Sequence, residues 1–363
     1  MSILEDHTND TPQTIRTTLC VINTATKLVS ELQGIPEADF FAAPVFNGDG
    51  TKLAYLIITH PDMPWEGAEL YVADVVGSES DGVVGFHITN AKHIAGKKLE
   101  VSAAYPSWAN NTTLVFTSDE SGYQNPWTFS TTTQKAQSVF SIPECEDYSE
   151  PAWTLGRSSY ATVDAAGNMA VFAAFCNGRN VLYLVDLRGG KPYLLSPCPF
   201  VTIIKVRPGK NEFFFAGSKI DGPGGVVRCT LSTLEAPSTP TYKILKSTAS
   251  TSAKFPGGII SLPNPSTLPI PYEDNLLPIV LYMPTNPAYA GSSIEGEKPP
   301  CVVNVHGGKY PNFFIYKPGN NHRYVYLRPD SHDITRFELD HTVLHQSWMG
   351  LVSNVAQSTV IPS

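Results

Sequence analysis

The sequence predicts an all-β chain, a β-propeller whose ring is incomplete, and three observations carry that reading. Charged residues make up only 16% of the 363 residues, while Gly (27) and Pro (30) are plentiful. That balance suits many short strands joined by tight turns and suits a helical bundle poorly. The apolar share of 42% argues against wholesale disorder. The third observation is a repeat. A short strand, a Gly/Asn/Asp turn, a second apolar strand, a polar loop, a third strand, a turn and a fourth strand follow one another four times. Copies of about 40–60 residues built this way are propeller blades. The alternative is a β-sandwich with no radial repeat.

Taken in order, residues 18–22 and 27–32 read as the last two strands of an earlier blade. The clearest full copy runs from 43 to 93. Residues 43–46 supply its inner strand and Asn47-Gly48-Asp49-Gly50 a tight turn, since Gly and Asn tolerate the positive φ such turns need. Strands at 52–58, 69–75 and 83–93 complete it. The second copy has strands at 105–108, 113–117, 127–130 and 136–140, with a loop at 118–123. The third has 160–163, 169–175, 181–187 and 192–195. The fourth has 203–206, 212–216, 226–231 and 242–245, with a loop at 217–225. The propeller is thus expected over residues 1–246.

After Lys246 the character changes. Residues 247–272 are rich in Ser, Thr and Pro and read as a linker. A second domain is expected from 273 to 308, with strands at 277–282 and 300–305. His306-Gly307-Gly308 follows the second of these. A buried strand running into His-Gly-Gly is the arrangement α/β-hydrolases use for part of an oxyanion hole. Backbone donors there meet negative charge as it develops on a carbonyl oxygen. A plain turn after a strand is the competing account. Residues 309–363 form a divergent tail. Its His341 and His345 lack the Glu of a metalloprotease H-E-x-x-H run, so they read as solvated tail residues.

Composition narrows function. The net charge of −8 disfavours nucleic acid as a partner. No run of about 18 apolar residues suggests a membrane span. The acidic start lacks a signal-peptide pattern, so the chain reads as cytoplasmic. The six cysteines form no C-x-x-C pair and read as buried free thiols. No cofactor and no metal site is expected.

Several runs resemble the prolyl oligopeptidase family of serine peptidases, in its acylaminoacyl-peptidase and dipeptidyl-peptidase-like branch. They are His60-Pro61-Asp62-Met63-Pro64-Trp65-Glu66-Gly67-Ala68-Glu69-Leu70-Tyr71-Val72-Ala73-Asp74, Asn47 to Ala54, Thr117 to Gly122, Pro284 to Pro300, and His306-Gly307-Gly308. The resemblance covers most of residues 1–308. It implies a propeller of TolB/WD40-like blades that caps an α/β-hydrolase and restricts it to peptides. The likeness fails after Gly308, and no G-x-S-x-G nucleophile elbow occurs in the sequence. No catalytic residue is assigned, and the chain is expected to be a truncated relative without hydrolytic activity. A stand-alone propeller that binds peptides or proteins is the alternative, and a misread gene fragment a third. Three loops, at 60–66, 118–123 and 217–225, are expected on one face. There Trp65 and Tyr123 would offer apolar contact to a peptide, beside His60, and Glu66, Asp119 or Glu120 would hold an amino terminus. The competing account is that these residues only stabilise their own loops.

Overall fold

The structure is a computed structural model. It describes residues 1–9, 11, 14–80, 83–152, 156–176, 179–209, 212–219, 224–247, 266–272, 275–281, 293–297, 302–305 and 325–328. All regular structure among them is β, so no helix there is long and apolar enough to cross a membrane.

Five antiparallel sheets follow one another along the chain. The first holds β1 (Ser2–Asp6), β2 (Arg16–Ile22) and β3 (Val29–Glu31) in that order. The sequence reading had only two strands here. It missed β1, whose Ser-Ile-Leu-Glu-Asp is too short and acidic to announce a strand. Pairing with β2, from Ser2 opposite Cys20 to Asp6 opposite Arg16, makes it one.

The next four sheets are four-stranded meanders. The second is β4 (Phe40–Phe46), β5 (Lys52–Ile58), β6 (Glu69–Ser80) and β7 (Val83–Ala95). The third is β8 (Ala103–Trp108), β9 (Thr113–Ser118), β10 (Asn125–Ser130) and β11 (Lys135–Ser138). The fourth is β12 (Tyr160–Thr162), β13 (Met169–Cys176), β14 (Arg179–Asp186) and β15 (Tyr193–Leu194). The fifth is β16 (Phe200–Pro208), β17 (Glu212–Lys219), β18 (Gly225–Leu231) and β19 (Pro240–Ser247). The second strands β5, β9 and β13 are buried almost throughout. They are central strands covered on both faces, which is why they read as continuous apolar runs.

Each core is shared between neighbours. Leu19 of the first sheet packs with Leu53 and Tyr55 of the second. Leu56 and Leu70 of the second pack with Leu114 and Phe116 of the third. Val115 of the third meets Tyr160 and Phe172 of the fourth. Val171 and Leu182 of the fourth meet Phe213 and Phe215 of the fifth. Among the described residues no core cluster joins the first sheet to the fifth. Ile22 and Val29 of the first, and Val226, Ile244 and Leu245 of the fifth, stay exposed.

The turns between first and second strands stack from sheet to sheet. Asn47 Nδ2 donates to the Asn111 carbonyl at 3.1 Å, and Asn110 Nδ2 to the Ala166 carbonyl at 3.2 Å. In the 47–50 turn the two glycines serve different ends. Gly50 takes the positive φ of 74°, whereas a Cβ on Gly48 would lie 2.7 Å from Asn111 Oδ1.

A further sheet has the order β20 (Ser266–Tyr272), β21 (Asn275–Leu281), β23 (Val325–Arg328), β22 (Val302–Val305). β21 and β23 are parallel, and the other pairs are antiparallel. β20 thus occupies the last seven residues of the stretch read as a linker. Its two prolines masked it in the sequence, and an edge strand accommodates them because one side needs no donors. Cys20 and Cys229 are buried free thiols, while Cys176 and Cys198 are half-buried and Cys145 is exposed, so burial was overstated for Cys145. Cys301 and the tail residues lie outside the described residues.

Candidate functional site

Two of the three loops expected together converge on one residue, Ser102, which is fully buried just ahead of β8. Its Oγ donates to the Pro64 carbonyl at 2.7 Å. Its backbone N donates to Asp119 Oδ1 at 2.7 Å, and its carbonyl accepts from Asp119 N at 3.3 Å. Gln124 Nε2 also donates to that carbonyl, at 3.4 Å. The loop after β5 and the loop after β9 are therefore clamped side by side. For the third loop, β17 extends to Lys219 and β18 begins at Gly225, so the connection is shorter than expected. Its residues 220–223 lie outside the described residues.

The C-terminal end of β13 in the fourth sheet is tied to the same end through Asp147. Asp147 Oδ1 accepts from Gln124 N at 2.9 Å, and the Asp147 carbonyl accepts from Phe175 N at 2.8 Å, near the end of β13.

The six propeller-loop residues divide by what their side chains already do. His60 is exposed; its backbone N donates to Asp39 Oδ2 at 2.7 Å, and its ring stands edge-on to Phe40 at 5.1 Å. Glu66 closes its own loop, its carboxylate accepting from Met63 N at 2.9 Å. Asp119 is 2% exposed and spends Oδ1 on Ser102 N. These three match the loop-stabilising account. Trp65 is half-buried and, with Pro64, Ser102, Gln124, Glu150 and Pro151, lines a cavity of about 10 Å³. That is room for about one water, not for a peptide side chain. Glu120 is exposed. Tyr123 is half-buried, and burial, helped by Cys145 and Asp147, raises its phenol above the ordinary range.

Three residues of this end escaped the sequence reading: Ser102, Gln124 and Asp62. Asp62 is 3% exposed and its Oδ2 accepts from Leu99 N at 2.8 Å. A Cβ on Gly67 would fall 1.8 Å from that oxygen. The spacing Asp62-x-x-x-x-Gly67 was the available signal. Burial of the turn, which gives it meaning, was not. His306, Gly307 and Gly308 lie outside the described residues.

Of the six, Trp65 and Tyr123 are partly accessible and Glu120 is exposed. None of the six is a nucleophile with a base beside it. The fold and this loop end define the chain as a β-propeller-type protein.

No family model and no curated protein matches the chain. Among solved structures it is similar to a puromycin-hydrolyzing peptidase of Mycobacterium tuberculosis, at 24% identity and a TM-score of 0.59, over 75% of this chain and 38% of that one. It is similar to a puromycin hydrolase at 21% identity and a TM-score of 0.64, over 82% of this chain and 42% of that one. It is also similar to prolyl oligopeptidase B from Galerina marginata bound to a 25mer macrocyclization substrate, at 14% identity and a TM-score of 0.51, over 75% of this chain and 35% of that one. The chain spans 35–42% of the length of these neighbours. The likeness bears out, at the level of fold, the resemblance read from the sequence.

Proposed function

We propose that the chain is the propeller part of a prolyl-oligopeptidase-type serine peptidase, and that it governs access of peptides to a hydrolase domain. The observation that carries this is the run of five antiparallel sheets, alignable over 82% of the chain with a puromycin hydrolase. On this reading the end where the Trp65 and Tyr123 loops meet faces the peptide, and Glu120 attracts its amino terminus. Short or amino-blocked peptides of the acylaminoacyl or dipeptidyl type are the proposed substrates of the complete assembly, in the cytoplasm.

The chain alone is proposed to be inactive. Acyl transfer by this route needs an activated Ser, a His base and an acid that orients the His. No G-x-S-x-G run occurs in the sequence, and His306-Gly307-Gly308 would supply at most oxyanion stabilisation. Two measurements test the reading. The purified chain should neither turn over a panel of free and amino-blocked chromogenic dipeptides nor be labelled by a fluorophosphonate. Stoichiometric labelling of a serine, with turnover that survives repurification, would overturn inactivity. Short peptides with a free amino terminus should quench tryptophan fluorescence saturably, and W65A should abolish that response. No quenching in the parent chain would remove the peptide-facing role.

A further inference from the structure

A larger opening lies at the opposite end of the sheets, where the first-to-second and third-to-fourth strand turns gather. Between the third and fourth sheets a groove of about 340 Å³ opens, inside the range of about 300–1,000 Å³ typical of small-molecule sites. Its floor is one face of the third sheet. Strand register sets Thr113 opposite Ser130 and Ser130 opposite Lys135 in one row, and Thr128 opposite Gln137 in the next. The fourth sheet supplies the far wall, including Asn168 and Arg188. One strand step away the same interface is packed hydrocarbon, where Val115, cross-strand from Thr128, meets Phe172. The two sheets therefore separate where the sequence changes from apolar side chains to hydroxyls.

Two independent features point to a ligand. The Thr128 side chain lines the groove at 6% exposure, and its hydroxyl has no hydrogen-bond partner among the described residues. That oxygen is not enclosed by protein, so it is a donor and acceptor presented to a molecule in the groove. The second feature is charge. The lining contains Lys135 and Arg188 and no Asp or Glu, in a chain with 33 acidic residues against 25 basic ones. Arg188 is already held by Asp186 at 2.6 Å. Lys135 has no ion-pair partner among the described residues and is exposed. No aromatic ring lines the groove, so there is no platform for base stacking.

We propose that this groove binds a phosphate monoester carried on a hydroxyl-rich small molecule. The phosphate would meet Lys135, and the hydroxyls would meet Thr113, Thr128 and Gln137. The inference does not rest on the peptidase reading, since it concerns the other end of the sheets.

The test is calorimetric titration of the full chain at low salt with glucose 6-phosphate, glucose, inorganic phosphate and O-phosphoserine. Glucose 6-phosphate should bind saturably and one-to-one, phosphate and phosphoserine more weakly, and glucose weakest. K135E should weaken binding about tenfold or more, as expected for loss of a charge-assisted hydrogen bond. The isosteric T128V, which removes one neutral hydrogen bond, should weaken it about three- to tenfold. K243E, at an exposed position of β19 away from the groove, should leave it unchanged, with thermal melts of all three variants recorded alongside. Absence of saturable glucose 6-phosphate binding overturns the proposal. So does equal weakening by K135E and K243E, the mark of non-specific charge attraction. Phosphoserine or glucose binding as tightly as glucose 6-phosphate overturns the ligand class.

Discussion

Single residues set the shape of the loop end through close approach and buried charge. Gly67 is enclosed by Asp62, whose Oδ2 would lie 1.8 Å from a Cβ, and by Leu99 N at 2.7 Å. The G67A variant must push the carboxylate off Leu99 or move backbone. It should lower stability by about 1–3 kcal/mol, read as a shift in urea midpoint. Asp74 illustrates the pH response. Asn90 Nδ2 donates to its carboxylate at 2.8 Å and Lys52 pairs with it; these two, Asn90 first, hold its carboxyl below the ordinary range. A depressed folded pKa gives stability that is full above the unfolded value of about 3.9 and is lost as pH falls through the lower folded value. Denaturation profiles at descending pH should show that loss below about pH 4. D74N should be less stable at neutral pH and should lose less on acidification.

At the scale of strands, the inner strand of three sheets carries the same irregularity. Ala43 in β4, Tyr105 in β8 and Lys205 in β16 have φ of 48°, 53° and 56°. Each sits at a break in register against the second strand. Bulges of this kind bend a strand and increase its local twist, and their recurrence marks a repeated unit more firmly than the residues themselves do. The bulge also exposes a carbonyl to the neighbouring sheet: the Tyr160 hydroxyl donates to Tyr105 O at 2.5 Å and to Val115 O at 2.8 Å. Third strands carry a second device. Asn125, at the start of β10 and 1% exposed, donates to the carbonyls of Glu144 and Glu146 at 3.0 and 3.2 Å and accepts from Glu144 N at 2.9 Å. Asn180 of β14, also buried, accepts from Ile203 N of β16 at 2.8 Å. N125A strands three backbone groups and should cost about 2 kcal/mol or more. A urea midpoint for N125A equal to that of the parent chain would show that the clip carries no stability.

Across the five sheets, each shares core, among the described residues, only with its neighbours in sequence. Stability in such an array is close to a sum of unit and nearest-neighbour terms, and units open separately. F213A, which hollows the core between the fourth and fifth sheets, should therefore speed amide exchange in β16–β19 strongly and in β5 hardly at all. A uniform rise in exchange across all five sheets would instead indicate one cooperative ring. The first and fifth sheets also carry exposed apolar side chains, Ile22 and Val29 on the one and Val226, Ile244 and Leu245 on the other, an association hazard. Sedimentation velocity over a range of protein concentrations should show the chain self-associating as concentration rises.

The repeat was legible in the sequence because its causes are local. Turn residues such as Asn47-Gly48-Asp49-Gly50 and the apolar runs 52–58, 113–117 and 169–175 declare themselves within a few residues, and the structure places strands at each of them. The linker reading hid β20 and the acidic start hid β1 because both strands depend on a partner elsewhere in the chain for their hydrogen bonds. The site was half legible. The pairing of the 60–66 and 118–123 loops followed from blade topology. Which of their carboxylates remain available did not, because that depends on burial: Asp119 turns inward to Ser102 N, Glu66 closes on Met63 N, and Glu120 stays outside. The groove at the other end left no sequence signal either. Thr113, Thr128 and Lys135 are scattered over three strands, and only cross-strand register makes them neighbours on one face. Local chemistry wrote the strands and turns into the sequence, whereas side-chain availability was decided by packing between residues far apart along the chain.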